Sequence, residues 1–162
     1  MNRLWTVGTS NRTKEDFIHL LRTYEIQQVF DVRRFPKSER FLWFCREEMA
    51  RWLPEAGIRY VWMGRELGGY RPGGYEAFSQ TPEFQAAVDQ LLEYAAQVPT
   101  AVVCAEKLPW RCHRLWIARA VEQRGWQVIH ILDENRTWHP RDLTPPEDGS
   151  PWLFPSNDNK GP

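Results

Sequence analysis

The tightest constraint on this chain is the order of its opening: a short apolar run, an amphipathic stretch, then a second apolar run. Leu4 to Val7 is apolar and is ended by Gly8, which reads as a buried strand. Thr13-Lys14-Glu15-Asp16 resembles a capping box, with Asp16 in place of the usual Glu. Phe17, Leu20, Leu21 and Tyr24 then recur at helical spacing, so the pattern predicts a helix over residues 14–24. Val29 to Val32 is the next strand. A strand, a helix and a strand joined by short connections force parallel pairing and a right-handed crossover.

The same alternation continues. A basic loop spans residues 33–40, and a helix over 46–56 is closed by Gly57. A third strand is predicted over 58–63, followed by a glycine-dense loop over 64–74. Thr81-Pro82-Glu83 is a helix start with Thr as cap and Pro at the first helical position. Phe84, Ala87, Val88, Leu91, Leu92 and Ala95 form that helix's apolar stripe. Residues 101–104 predict a fourth strand. The next helix begins near 109–111, runs to about Arg124 and ends at Gly125; a fifth strand covers 127–132. The expected fold is three-layer α/β, a mostly parallel central sheet of about five strands flanked by helices.

Length and composition bound the rest. The 162 residues fit one domain, expected over 1–140, with a tail at 141–162 rich in Pro and polar residues and expected to be flexible. Lys plus Arg and Asp plus Glu each number 21, which argues against a protein that coats nucleic acid by bulk charge. Cys45, Cys104 and Cys112 make an odd count, a poor disulfide framework that suits a reducing compartment. No run approaches the roughly 20 apolar residues of a membrane span, and the first residues lack a signal-peptide core. A cytoplasmic protein with no membrane partner is expected. The nine Trp residues read as packing rather than base stacking.

Each predicted strand ends in residues a core does not favour: Gly8-Thr9-Ser10-Asn11-Arg12, Asp31-Val32-Arg33-Arg34, Gly64-Arg65-Glu66, Cys104-Ala105-Glu106-Lys107 and Asp133-Glu134. Open α/β sheets bind ligands outside the carboxyl ends of their strands, where helix N-termini favour anions. One polar, anion-binding pocket on that face is therefore expected. Arg12, Arg33, Arg34 and Arg114 are its guanidinium candidates. Against this stands structural pairing, for example of Arg114 with Asp31. Cys112 is placed in the first turn of a helix beside Arg111, His113 and Arg114, surroundings that lower a thiol pKa; the competing reading is a small buried hydrophobe. The spacing is not the cysteine-x5-arginine loop of tyrosine phosphatases, since Trp110 is the sixth residue after Cys104. Zinc on Cys104, Cys112 and His113 is set aside because adjacent helical side chains diverge by about 100°. No metal and no cofactor is expected.

Five motifs occur in order: Thr6-Val7-Gly8-Thr9-Ser10-Asn11-Arg12, Asp31-Val32-Arg33-Arg34-Phe35-Pro36-Lys37-Ser38, Leu67-Gly68-Gly69, Cys104-Ala105-Glu106 with Cys112-His113-Arg114, and Val128-Ile129-His130-Ile131. Together, over about residues 4–132, they resemble the bacterial and archaeal domain of unknown function 488 family. Thr9 stands where that family often has a histidine. The resemblance implies a compact α/β fold and a polar pocket, and it brings no established activity. By position it carries Ser10, Arg12, Asp31, Arg33, Ser38, Glu106, Cys112, His113 and Arg114 as site residues.

Three functions compete. An enzyme on a phosphorylated or nucleotide-like substrate would use Asp31, Glu106 or His113 as acid or base and Cys112 as nucleophile. Ser10, Arg12, Arg33, Ser38 and Arg114 would hold the anion. A nucleic-acid-associated protein would use a basic and aromatic surface of Arg33, Arg34, Phe35, Arg40, Phe41, Trp43 and Phe44. In a non-catalytic binding module the polar cluster would only tie loops together.

Overall fold

The computed structural model describes residues 2–139; the tail expected at 141–162 lies outside the described residues. One sheet contains β1 (Arg3–Gly8), β2 (Gln28–Asp31), β3 (Arg59–Trp62), β4 (Thr100–Cys104), β5 (Gln127–Ile131) and β6 (Thr137–Trp138). Its order is β3-β2-β4-β1-β5-β6. The first five strands are mutually parallel, and β6 runs antiparallel to β5. The helices are α1 (Lys14–Thr23), α2 (Arg46–Glu55), α3 (Gly64–Leu67), α4 (Tyr75–Phe78), α5 (Pro82–Ala95) and α6 (Arg114–Glu122). Two 3-10 turns, Leu42–Phe44 and Pro109–Arg111, precede α2 and α6. The expected three-layer α/β architecture is the observed one.

The strand pleat sorts side chains onto two cores. Val7, Val29, Ala101 and Val103 face Phe17, Leu20 and Leu21 of α1 and Met49, Trp52 and Leu53 of α2. Leu4, Phe30, Val102 and Val128 face Phe84, Val88 and Leu91 of α5 and Ile117 and Val121 of α6. Caps set the helix starts: the Thr13 hydroxyl accepts from the Asp16 N–H at 3.0 Å, and Thr81 accepts from Phe84 N–H at 3.2 Å. Among the described residues no helix is long and apolar enough to cross a membrane.

Three expectations change. The glycine-dense stretch opens with a helical turn, α3, rather than being only loop, and a second turn, α4, follows it directly. The helix expected from 109 divides: its start is a 3-10 turn, Cys112 is extended (φ −134°, ψ 147°), and α6 begins at Arg114. Residues 137–138 add the short antiparallel β6 beside His130 and Ile131.

Phe17 is fully buried and meets Phe44 and Trp52 edge-on, with ring centroids 5.4 and 6.2 Å away. Phe17→Ala is expected to lower stability by about 3–5 kcal/mol. The exposed Leu42 offers the control, with Leu42→Ala changing it by less than about 0.5 kcal/mol. Urea denaturation measures both; equal losses would contradict this packing.

Candidate functional site

The topology opens a crevice at one place. β4 feeds α6 on one face of the sheet, whereas its neighbours β1 and β2 feed α1 and α2 on the other. The outgoing chains part above the end of β4, the position where open α/β sheets hold ligands. A cavity of about 590 Å³ lies there. Thr9 and Ser10 line it from the end of β1, Arg33 and Arg34 from the end of β2, and Cys104 to Glu106 from the end of β4. Gly69 to Arg71 and Arg111 to His113 complete the wall.

The segments after β1 and β4 are stitched together. Thr9 N–H donates to the Cys104 carbonyl at 2.7 Å and Ser10 N–H to the Ala105 carbonyl at 2.9 Å. Ser10 holds a left-handed backbone, φ 52°, to make this turn. Gly8 carries no Cβ where one would collide with the Glu106 carbonyl. Gly68 does the same for Arg34, whose backbone a Cβ would overlap.

Arg114 fastens the segment after β4 from beneath. Its side chain is wholly buried. Its guanidinium donates to the Glu106 carbonyl, to the Lys107 carbonyl at 3.0 Å and to the Thr6 hydroxyl at 3.2 Å. The Thr6 oxygen therefore turns its own hydrogen to His130 Nδ1, 2.6 Å away. Burial and the neighbouring Arg114 charge push the His130 pKa well below its usual value.

The cavity floor holds two thiols. Cys112 Sγ and Cys104 Sγ are 3.1 Å apart, and both residues are almost entirely buried. Burial raises the Cys112 pKa, but the Cys104 thiol, the Arg114 charge and the Arg114 backbone N–H outweigh it and bring it down to about 7. The N–H, at 3.5 Å from Cys112 Sγ, is the first of α6, so the sulfur occupies a helix N-terminus. Sharing with Cys112, together with burial, pushes the Cys104 thiol up, so the proton of the pair stays on Cys104. His113 Nε2 lies 3.1 Å from the Val32 carbonyl, which can only accept; Nε2 carries the hydrogen and Nδ1 presents a lone pair, 3.8 Å from Cys112 Sγ.

Of the expected site residues, Ser10, Arg33, Ser38, Glu106, Cys112 and His113 line this one cavity. Three others do not. Asp31 is fully buried behind the wall, and its carboxylate accepts from Arg33 N–H, Nε and Nη2 and from the Tyr60 hydroxyl. That fourfold anchoring makes it a strut rather than a free acid or base. Arg33 is its buried partner, at 2.7 Å, so the pairing proposed between Asp31 and Arg114 is made by Arg33 instead. Arg114 is spent on carbonyls and is not an anion ligand. Arg12 faces a separate cavity beside Asp16, Asp133 and Glu134 and donates to the Leu132 carbonyl at 2.8 Å. Ser38 also serves locally, its hydroxyl accepting from Phe41 N–H at 2.9 Å.

The cavity adds residues that the family pattern did not carry as site residues. Lys37 and Arg111 stand in its wall with Arg34, and among the described residues none of the three has a carboxylate partner. Phe35 and Tyr70, 65% and 83% exposed, meet at its mouth with ring centroids 5.8 Å apart. The signal for Lys37 was its place inside the Asp31 to Ser38 motif, and for Arg111 its place directly before Cys112-His113-Arg114; Tyr70 carried none beyond following Gly68-Gly69. Cys104, Cys112 and His113 bring their donor atoms within 4.8 Å of one another. The helical divergence invoked against this does not apply, because Cys112 is extended. The positive wall nevertheless disfavours a divalent cation, and no metal is assigned.

Residues 13–121 match the family described as Domain of unknown function DUF488. The chain belongs to that family. The matched segment contains the Asp31 to Ser38, Leu67 to Gly69 and Cys104 to Arg114 motifs, and hence most of the DUF488 cavity wall; the Thr6 to Arg12 and Val128 to Ile131 motifs lie outside it. No curated protein and no solved structure matches the chain.

The Cys112 geometry predicts a pH profile. Alkylation of Cys112 by iodoacetamide, followed by peptide mass spectrometry, is expected to rise with a midpoint at about 7, below the roughly 8.5 of a free thiol. Cys104→Ala removes the S–H donor and is expected to move that midpoint upward. A wild-type midpoint at the free-thiol value, or one unmoved by the variant, contradicts the assignment.

Proposed function

We propose that this cavity binds a small phosphorylated or nucleotide-like molecule and holds it against the Cys112 thiolate, the candidate nucleophile. The observation that carries the reading is the set of three cations, Arg34, Lys37 and Arg111, that have no carboxylate partner among the described residues and stand around a floor that holds the Cys112 thiol. Guanidinium groups are suited to phosphate oxygens, and a thiolate at a helix N-terminus is available near neutral pH. The exposed Phe35 and Tyr70 rings supply a face on which a planar base would stack. The lone pair of His113 Nδ1, 3.8 Å from the sulfur, and Glu106, in the same cavity wall, are the proton carriers of this reading. Arg33, Asp31 and Arg114 hold the walls in place.

Two other readings are weaker. The aromatic stripe of a nucleic-acid surface is broken, because Phe44 is buried and the Trp43 indole N–H donates to the Arg12 carbonyl. A polar cluster that only ties loops accounts for Asp31 and Arg114, but not for an open cavity lined by Arg34, Lys37 and Arg111, which have no carboxylate partner among the described residues.

Thermal unfolding of the reduced protein tests the proposal, with phosphate, pyrophosphate and nucleoside mono- and diphosphates as probes. A probe at 100 times its Kd adds about 2.7 kcal/mol, a rise in Tm of several degrees for a chain of this size. Nucleotides are expected to exceed inorganic phosphate. The double variant Lys37→Glu with Arg111→Glu is expected to weaken binding at least tenfold, as the loss of a charged hydrogen bond worth about 1.5–3 kcal/mol implies. The proposal fails if no probe shifts Tm, or if the shift survives both charge reversals.

A further inference from the structure

The contact between Cys104 and Cys112, which helps to keep Cys112 a thiolate, also fits a second chemistry. A buried small hydrophobe would serve packing at either position. Instead the two sulfurs face each other at 3.1 Å on the cavity floor. We infer that they form a redox couple that closes to a disulfide within the folded protein.

A disulfide needs its sulfurs about 2.05 Å apart, so closure asks for a movement of only about 1 Å. Cys104 ends β4, paired on both sides in the sheet centre, and is the fixed partner. Cys112 is the adjustable one, an extended residue between the Pro109–Arg111 turn and α6. Both line the cavity, which gives a small oxidant its approach. Cys45 stands apart, its sulfur beside the Ser38 N–H at 3.3 Å and the Ser38 carbonyl at 3.4 Å. The odd cysteine therefore remains a thiol and serves as an internal reference.

The chemistry is thiol–disulfide exchange with a low-molecular-weight disulfide such as oxidised glutathione. The Cys112 thiolate attacks one sulfur of the oxidant. A new S–S bond forms, the oxidant's own S–S bond breaks, and one small thiolate leaves and takes a proton. The Cys104 sulfur, losing its proton to solvent or to His113 Nδ1, then attacks Cys112 Sγ and expels the second small thiolate. Two protein thiols are oxidised and one small disulfide is reduced to two thiols. Closure removes the Cys112 thiolate from the cavity. The bond itself is independent of what the cavity binds; its effect as an off-switch for the pocket rests on the proposed function.

The test equilibrates the full chain in buffers of graded reduced-to-oxidised glutathione ratio, without phosphorylated ligand and with a chelator. Free thiols are then trapped with N-ethylmaleimide and intact masses recorded. The expected result is a single two-electron step in which alkylation falls from three sites to one, with the remaining label on Cys45. Cys104→Ser is expected to stop at one glutathione adduct on Cys112. Cys45→Ser is expected to keep the two-electron step, and near-UV circular dichroism checks that each variant is folded. Three alkylations at every ratio, a bond involving Cys45, or a persistent glutathione adduct in the wild type would each overturn the inference. Because only thiols are read, failure here leaves the phosphate-binding result standing, and the reverse.

Discussion

Arg114 is a charged side chain with no exposed surface, in a position where an unsatisfied guanidinium would be costly. Its three hydrogen bonds reach two carbonyls of the segment after β4 and the Thr6 hydroxyl inside β1. The residues joined are far apart in sequence, and the bonds fix the height of residues 105–107 above the sheet. With Gly8 leaving room for the Glu106 carbonyl, and Thr9 and Ser10 donating to carbonyls 104 and 105, the ends of β1 and β4 become one rigid lip. The same residue opens α6, so its backbone N–H and its charge both act on Cys112. One buried cation thus organises the loop, the helix start and the thiol.

A second buried pair does comparable work on the opposite wall. Asp31 and Arg33 join at 2.7 Å, and the Tyr60 hydroxyl donates to the same Oδ2 that accepts from Arg33 Nη2. Breaking such a pair leaves an uncompensated buried charge, which costs about 3–5 kcal/mol. Burial and the Asp31 charge in turn push the Tyr60 hydroxyl pKa up, which keeps that group a donor. Asp31 neutralises its partner inside the wall, while Arg34, Lys37 and Arg111 line the cavity with no carboxylate partner among the described residues.

The layered fold was legible because it follows from local periodicity. The Thr13 and Thr81 caps, the alternating strands and the βαβ opening each have a near-neighbour cause. That a cavity lies over the carboxyl ends of β1, β2 and β4 was legible too, although Arg12 and the end of β5 line a separate one. The roles of individual residues were less so. Nothing in the pattern around Arg114 or Asp31 tells whether a charged side chain turns into the core or out to the pocket; that depends on carbonyls brought near by the sheet. Arg12 looked equivalent to Arg33, yet the turn at Ser10 carries it toward Leu132. The backbone at Cys112 was misread as helical because Pro109 signals a helix start, and the proline in fact begins a 3-10 turn that delays α6. Strand β6 spans only two residues, too few to leave a periodic trace.

The claim at the centre is that the buried Arg114 guanidinium holds the segment after β4 in place and so builds the cavity floor. Amide hydrogen exchange of Arg114→Met against the wild type measures this directly. Loss of protection confined to residues 8–10 and 104–113, with α1, α2 and α5 unchanged, is the predicted result. Unaltered protection across residues 104–113 would contradict it.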